Sequence, residues 1–126
     1  MKSILIAEDD PDTAALIKAM LDEHLSIETT TINNGALVLD QIAARRPDLL
    51  ILDVSLPGLN GVDVFDLVQA NPSFVDVPVL FLTATPDRAR RAVGRKGIRD
   101  VMRKPFEGRA LAEKVADLLG RAETVA

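Results

Sequence analysis

The chain has no cysteine, no tryptophan, no tyrosine and one histidine; its aromatic residues are Phe65, Phe74, Phe81 and Phe106. Without cysteine there is no disulfide framework, no thiolate metal site and no cysteine nucleophile. No apolar run reaches the roughly 18 to 20 residues that a membrane span needs. The start, Met1-Lys2-Ser3-Ile4, runs straight into a strand-like segment and lacks the pattern of a secretory signal. A cytoplasmic protein with no membrane association is therefore expected. GxGxxG and P-loop patterns are also absent, so Gly58 and Gly61 read as turn residues and not as a phosphate cradle.

What is present fits one compact domain over residues 1–126, with a hydrophobic fraction of 48% to build its core. The net charge of −4 is unevenly spread: residues 1–66 carry 12 acidic and 4 basic side chains, and residues 67–126 carry 7 acidic and 11 basic. An acidic chain is a poor candidate for direct nucleic-acid binding. The basic residues between Arg88 and Lys104 are either a solvated face or a docking surface.

Short β-like runs alternate with longer helical ones. Strands are expected at Ser3–Ala7, Ile27–Ile32, Leu49–Val54, Val77–Thr83 and Ile98–Arg103. Helices are expected at Pro11–Leu25, Gly35–Arg46, Val62–Gln69, from Pro86 to Val93, and at Phe106–Leu119. Asp10 reads as the cap of the first helix, with Pro11 at its first position. His24, at that helix's end, reads as a cation near a helix C-terminus. Strands 1, 3 and 4 are almost continuously apolar, as in a parallel sheet covered on both faces; strands 2 and 5 are more polar, as edges would be. Right-handed crossovers then favour an α/β, doubly wound, five-stranded parallel sheet with five flanking helices. The known order 2-1-3-4-5 satisfies these conditions.

In such a sheet, ligands bind at the carboxyl ends of the strands where the strand order reverses. Glu8-Asp9-Asp10 leave strand 1 there and Asp53 leaves strand 3. Crowded carboxylates raise one another's pKa unless a cation is present, and a hard cation such as Mg²⁺ suits oxygen donors beside a phosphate. Helix capping alone is the plainer reading of the acidic triplet; with Asp10 assigned to the cap, Glu8 and Asp9 remain for a metal. Thr83, ending strand 4, and Lys104, ending strand 5, reach the same rim with a hydroxyl and a point charge. Those groups suit stabilisation of a transferring phosphoryl group, with Asp53 as a carboxylate nucleophile.

The stretches ILIAEDDP (4–11), LLILDVSLPGLNG (49–61), VPVLFLTA (77–84) and KPF (104–106) together resemble the response-regulator receiver domain, in order and spacing and across essentially the whole chain. The resemblance implies a flavodoxin-like fold and a two-component signalling switch. It implies that Asp53 accepts a phosphoryl group from a histidine kinase or phosphotransfer protein. It also implies Mg²⁺ held by Asp9, Asp53 and the main-chain carbonyl of Ser55, with Glu8 acting through water, and phosphoryl oxygens bound by Thr83 and Lys104. Family members usually have a cis bond at the position of Lys104–Pro105. One departure is Val101, where the family often carries an aromatic residue.

Three functional classes compete. The first is a phosphorylation-controlled switch that presents its helix 4–strand 5 face to a downstream protein, with Gly94 and Gly97 easing movement there. The second is a phosphatase with an aspartate nucleophile; such enzymes want a second acid two residues on, and here that residue is Ser55. The third is an unphosphorylated interaction module, disfavoured by the intact Glu8, Asp9, Asp53, Thr83 and Lys104 set. The expectation is the switch, not a turnover enzyme, on a chain that shows no DNA-binding module and is either a stand-alone regulator or a domain of a longer protein. Ser55 and Thr85, both short, suggest a long-lived phosphoryl group. Removing Lys104 is expected to harm phosphorylation more than folding.

Overall fold

The structure, a computed structural model, describes residues 1–92 and 99–125. Five strands, β1 (Lys2–Ala7), β2 (Ile27–Ile32), β3 (Leu49–Leu52), β4 (Val79–Thr83) and β5 (Arg99–Arg103), form a parallel sheet of order β2-β1-β3-β4-β5. The helices are α1 (Pro11–His24), α2 (Val38–Ala44), α3 (Gly61–Ala70), α4 (Pro86–Ala92) and α5 (Gly108–Val125). The α/β doubly wound arrangement is the expected one. Gly94, Arg95, Lys96 and Gly97 lie outside the described residues.

Successive strand residues point to opposite faces of a sheet, and here each face finds its own layer of helices. Leu5, Ala7, Leu50, Leu52, Val79 and Phe81 join Val38 and Ile42 of α2, Val64, Phe65 and Val68 of α3, and Ala89 of α4. Ile4, Ile6, Leu49, Ile51, Leu80 and Leu82 face the other way, onto Ile17 and Leu21 of α1 and Leu111, Val115 and Leu118 of α5. Burying an aliphatic side chain of this size stabilises by roughly 1.5–3 kcal/mol. The central strands therefore hold their carboxyl ends rigidly. At the edge, β2 exposes Glu28, Thr30 and Thr31 and half-buries Ile27, Thr29 and Ile32.

Of the boundaries that differ from the sequence reading, three have a clear local reason. Pro78 has no N–H to give a ladder, although its carbonyl still accepts from the Leu50 amide at 2.9 Å, so β4 begins at Val79 and Val77 closes a turn onto Phe74. The second helical segment opens as a 3₁₀ turn at Gly35–Leu37, because the Asn34 side chain accepts from the Ala36 amide. The Leu111 amide donates to the Glu107 carbonyl, so α5 starts at Gly108 and leaves Phe106 outside it, packed on the second core cluster.

The loop after β3 is tied down at both ends. Gly58 adopts φ +78°, a conformation that favours glycine. The Gly35 amide donates to Pro57, and the Gly61 amide donates to Val54. A Cβ on Gly61 would sit 2.0 Å from the Asp53 carbonyl oxygen, so the start of α3 presses directly on the backbone of Asp53.

Candidate functional site

Strand β1 delivers Glu8 and Asp9 to the carboxyl rim. The Glu8 amide still donates to Ile32, extending the strand by one rung, and the residue is 4% exposed. Asp10 is exposed and caps α1 as expected, accepting from the Asp12 amide and from the Thr13 hydroxyl. The Thr13 hydrogen bond is the main reason its carboxyl lies below the usual range. That duty leaves Glu8 and Asp9 for the crevice.

Strand β3 delivers Asp53 one residue past its end. Its amide donates to Ala7, which fixes it beside β1, and the residue is 6% exposed. One carboxylate oxygen accepts from the Ser55 amide at 3.2 Å. The other accepts from Lys104 Nζ at 2.8 Å. Ser55 itself is exposed.

Lys104 is held at the crevice by its own amide, which donates to the Thr83 carbonyl, and its bond to Pro105 is cis. Its Nζ donates to both Asp53 and Glu8. Burial pushes the Glu8 carboxyl up, and the hydrogen bonds from Lys104 and the Asp10 amide only partly reverse that. Burial alone would lower Lys104, but its bonds to Asp53 and Glu8 outweigh burial and hold it above the usual lysine range. The ammonium is thus the local counter-charge for two buried carboxylates. The expectation that loss of Lys104 harms phosphorylation more than folding has to reckon with this second duty. The side chain is only 19% exposed and neutralises groups that sit in the interior.

Glu8, Asp9 and Asp53 each offer a carboxylate oxygen, and these oxygens lie within 4.8 Å of one another. The donor set is all oxygen, net negative and open on the Asp9 side, which fits a hard divalent cation. Thr83 stands at the end of β4, next to β3 in the sheet, and is 1% exposed. Its hydroxyl engages Thr85. The structure therefore gathers Glu8, Asp9, Asp53 and Lys104 into one contact network, with Thr83 joined to Lys104 through the main chain. Sequence reasoning missed the second partner of Lys104 and the Thr83–Thr85 contact. The Thr-x-Thr spacing, which permits hydroxyl-to-amide turns, was the available signal for the latter.

A family model for the response regulator receiver domain matches residues 4–116. The DNA-binding response regulator MtrA of Mycolicibacterium smegmatis is 35% identical over 121 residues, covering 95% of this chain and 51% of that protein. The alkaline phosphatase synthesis transcriptional regulatory protein PhoP of Bacillus subtilis is 32% identical, covering 99% of this chain and 51% of its own length. The chain thus spans about half the length of these relatives. Among solved structures, the receiver domain of a Pseudomonas aeruginosa sensor histidine kinase superposes with a TM-score of 0.83 at 27% identity, covering 94% of this chain and 98% of that one. It carries a magnesium ion coordinated in its active-site cleft. The signal receiver domain of a Syntrophus aciditrophicus histidine kinase gives 0.82 at 29% identity, covering 95% and 91%. With the fold, the acidic crevice and the lysine in place, this chain belongs to the response regulator receiver domain family of two-component signalling.

Proposed function

We propose that Asp53 is the phosphoacceptor of a signalling switch, charged by a histidine kinase or phosphotransfer protein with Mg²⁺ present. The carrying observation is a nearly buried Asp53 with Lys104 on one carboxylate oxygen and two further carboxylates within 4.8 Å. Glu8, Asp9, Asp53 and the Ser55 carbonyl would hold the metal, with Glu8 acting through water. When bound, Mg²⁺ supplies positive charge that lets a phosphoryl dianion approach this acidic crevice.

The chain's own residues do the rest. The Asp53 carboxylate forms a bond to phosphorus as the donor's P–N bond breaks; the electron pair stays on the imidazole nitrogen, which takes up a proton. The Ser55 amide and the Ala7 carbonyl hold Asp53 in place for this attack. Lys104, already charged and directed at Asp53, exchanges part of its carboxylate contact for a phosphoryl oxygen. Thr83 donates its hydroxyl to another. Donors fixed in advance stabilise such charge more than donors that must reorganise.

Several finer readings go with this. The domain is a phosphoacceptor and not a turnover enzyme, because Ser55 stands where a phosphatase of this chemistry would carry its second acid. All of residues 1–126 form the one receiver domain, a reading supported by a sheet whose strands run from Lys2 to Arg103. No helix among the described residues is long and apolar enough to cross a membrane, and we place the domain in the cytoplasm, where its donor would be. Two relatives are named as DNA-binding or transcriptional regulators; direct contact between this acidic domain and nucleic acid is not proposed, and its downstream partner is a protein.

A beryllofluoride titration in Mg²⁺ tests the switch. Because the chain has no tryptophan or tyrosine to report by fluorescence, amide NMR is the readout. Saturable shifts around Asp53, Thr83 and Lys104 that vanish in Asp53→Asn support the reading; no binding by the wild type overturns it.

A further inference from the structure

Thr83 leaves β4 as the first residue of Thr83-Ala84-Thr85. Its Oγ1 accepts from the Thr85 amide at 3.1 Å and lies 3.2 Å from Thr85 Oγ1, where either hydroxyl can donate. Burial decides the direction. Thr83 is 1% exposed, whereas Thr85 is exposed. A hydroxyl carries one proton to give and lone pairs to accept with, and a buried O–H left without an acceptor is costly. Among the described residues, the acceptor within reach of the Thr83 proton is Thr85 Oγ1. Thr85 can send its own proton to solvent; Thr83 cannot.

On the neighbouring strand, the Asp100 carboxylate is engaged by the Val101 amide and by Lys114 Nζ. The β5 residues Arg99-Asp100-Val101-Met102-Arg103 contain no hydroxyl and no ring, and Val101 is a short, half-buried side chain against the first core cluster. Control of the Thr83 rotamer therefore falls to its own loop.

We propose that Thr85 is a positioning residue that latches Thr83 in the resting state by accepting its only proton. Resting on the phosphoacceptor reading above, the same proton is what Thr83 must give to a phosphoryl oxygen. It cannot serve both acceptors, so activation breaks the Thr83–Thr85 hydroxyl bond, and Thr85 sets the balance between the resting and active forms. The Thr85 amide that donates to Thr83 Oγ1 belongs to the main chain, so substituting the Thr85 side chain does not remove that donor. Loss of the latch leaves the resting Thr83 proton unpaired, destabilises that form alone, and so favours the phosphorylated one. A neutral hydrogen bond, net of water, is worth roughly a three- to tenfold change in an equilibrium.

The test compares wild type, Thr85→Val and Thr85→Ser. Beryllofluoride with Mg²⁺ is titrated by amide NMR, and the Thr83 χ1 angle is read from three-bond couplings in metal-free protein. Thr85→Val, which keeps the shape and loses the acceptor, should bind roughly three- to tenfold more tightly than wild type, with the Thr83 rotamer averaged. Thr85→Ser should restore both. A purely structural role for Thr85 would lower thermal stability and leave the rotamer fixed. The latch is overturned if Thr85→Val binds no more tightly than wild type, or if its Thr83 rotamer is as well defined. If the wild type fails to bind beryllofluoride at all, the phosphoacceptor reading falls, and the rotamer comparison still decides whether Thr85 holds Thr83.

Discussion

Replacing Lys104 with methionine keeps most of the side-chain volume and removes one charge. In the structure that charge is bonded to Asp53 and Glu8, which are 6% and 4% exposed. Removing one partner of a buried pair costs about 3–5 kcal/mol, because the other charge stays buried without compensation. Lys104 is partly exposed, which argues for the low end, about 3 kcal/mol. For a domain of this size a loss of 1 kcal/mol lowers the melting temperature by about 4 °C, so the variant should melt roughly 12 °C below wild type in chelator. Added Mg²⁺ should raise the variant more than wild type, since the cation replaces the missing positive charge beside Glu8, Asp9 and Asp53. The pH dependence has a definite sign. Burial already holds the Glu8 carboxyl above its usual value, and losing the Lys104 bond raises it further. A group whose folded-state pKa is raised contributes stability that is present at low pH and lost as pH rises through that value. The deficit of Lys104→Met should therefore widen from pH 5 to pH 8. Melting by circular dichroism, with and without Mg²⁺ at both pH values, reads all of this. A variant that melts within about 2 °C of wild type in chelator at pH 8 would refute the role of Lys104 as internal counter-charge.

Other expectations follow from the same geometry. Gly61→Ala should destabilise by roughly 1–3 kcal/mol in urea melts and slow phosphorylation, since the new methyl meets the Asp53 backbone at 2.0 Å; an unaffected phosphorylation rate would show that this backbone contact does not position Asp53. The phosphoryl group should persist for minutes or longer after donor removal, because Ser55 and Thr85 carry neither carboxylate nor amide to hold a water in line; loss within seconds, measured by intact mass, would reveal another group positioning that water. The α4–β5 face should carry the output: beryllofluoride should change amide exchange across residues 84–92 and 99–103, and Arg90→Glu with Arg91→Glu should weaken binding to an acidic partner protein. Unchanged exchange there, with normal partner binding, would move the output surface elsewhere.

Which strands are central and which lie at the edges was legible because that follows from burial, and the known order 2-1-3-4-5 fitted it. Leu49–Leu52 and Val79–Thr83 are wholly buried and central, whereas β2 and β5 carry Glu28, Thr29, Arg99 and Asp100 at the edges. The element ends were less legible, because single hydrogen bonds decide them: Pro78 withholds an amide from β4, and Glu107 rather than Phe106 accepts the first α5 bond. The acidic crevice could be placed from topology, since all its members leave strands at one rim. The state of Lys104 could not be read, because its contact with Glu8 joins residues 96 apart in sequence and depends on how deeply both side chains sit. Thr85 was visible only as a short residue near the site; that it engages Thr83 depends on the turn taken after β4.

Intact-mass measurement after incubation with a small phosphodonor tests the central claim most directly. Wild type in Mg²⁺ should gain the mass of one phosphoryl group; wild type in chelator and Asp53→Asn in Mg²⁺ should gain none. A phosphoryl group on Asp53→Asn, or on wild type stripped of metal, would contradict the assignment of Asp53 as the metal-dependent phosphoacceptor.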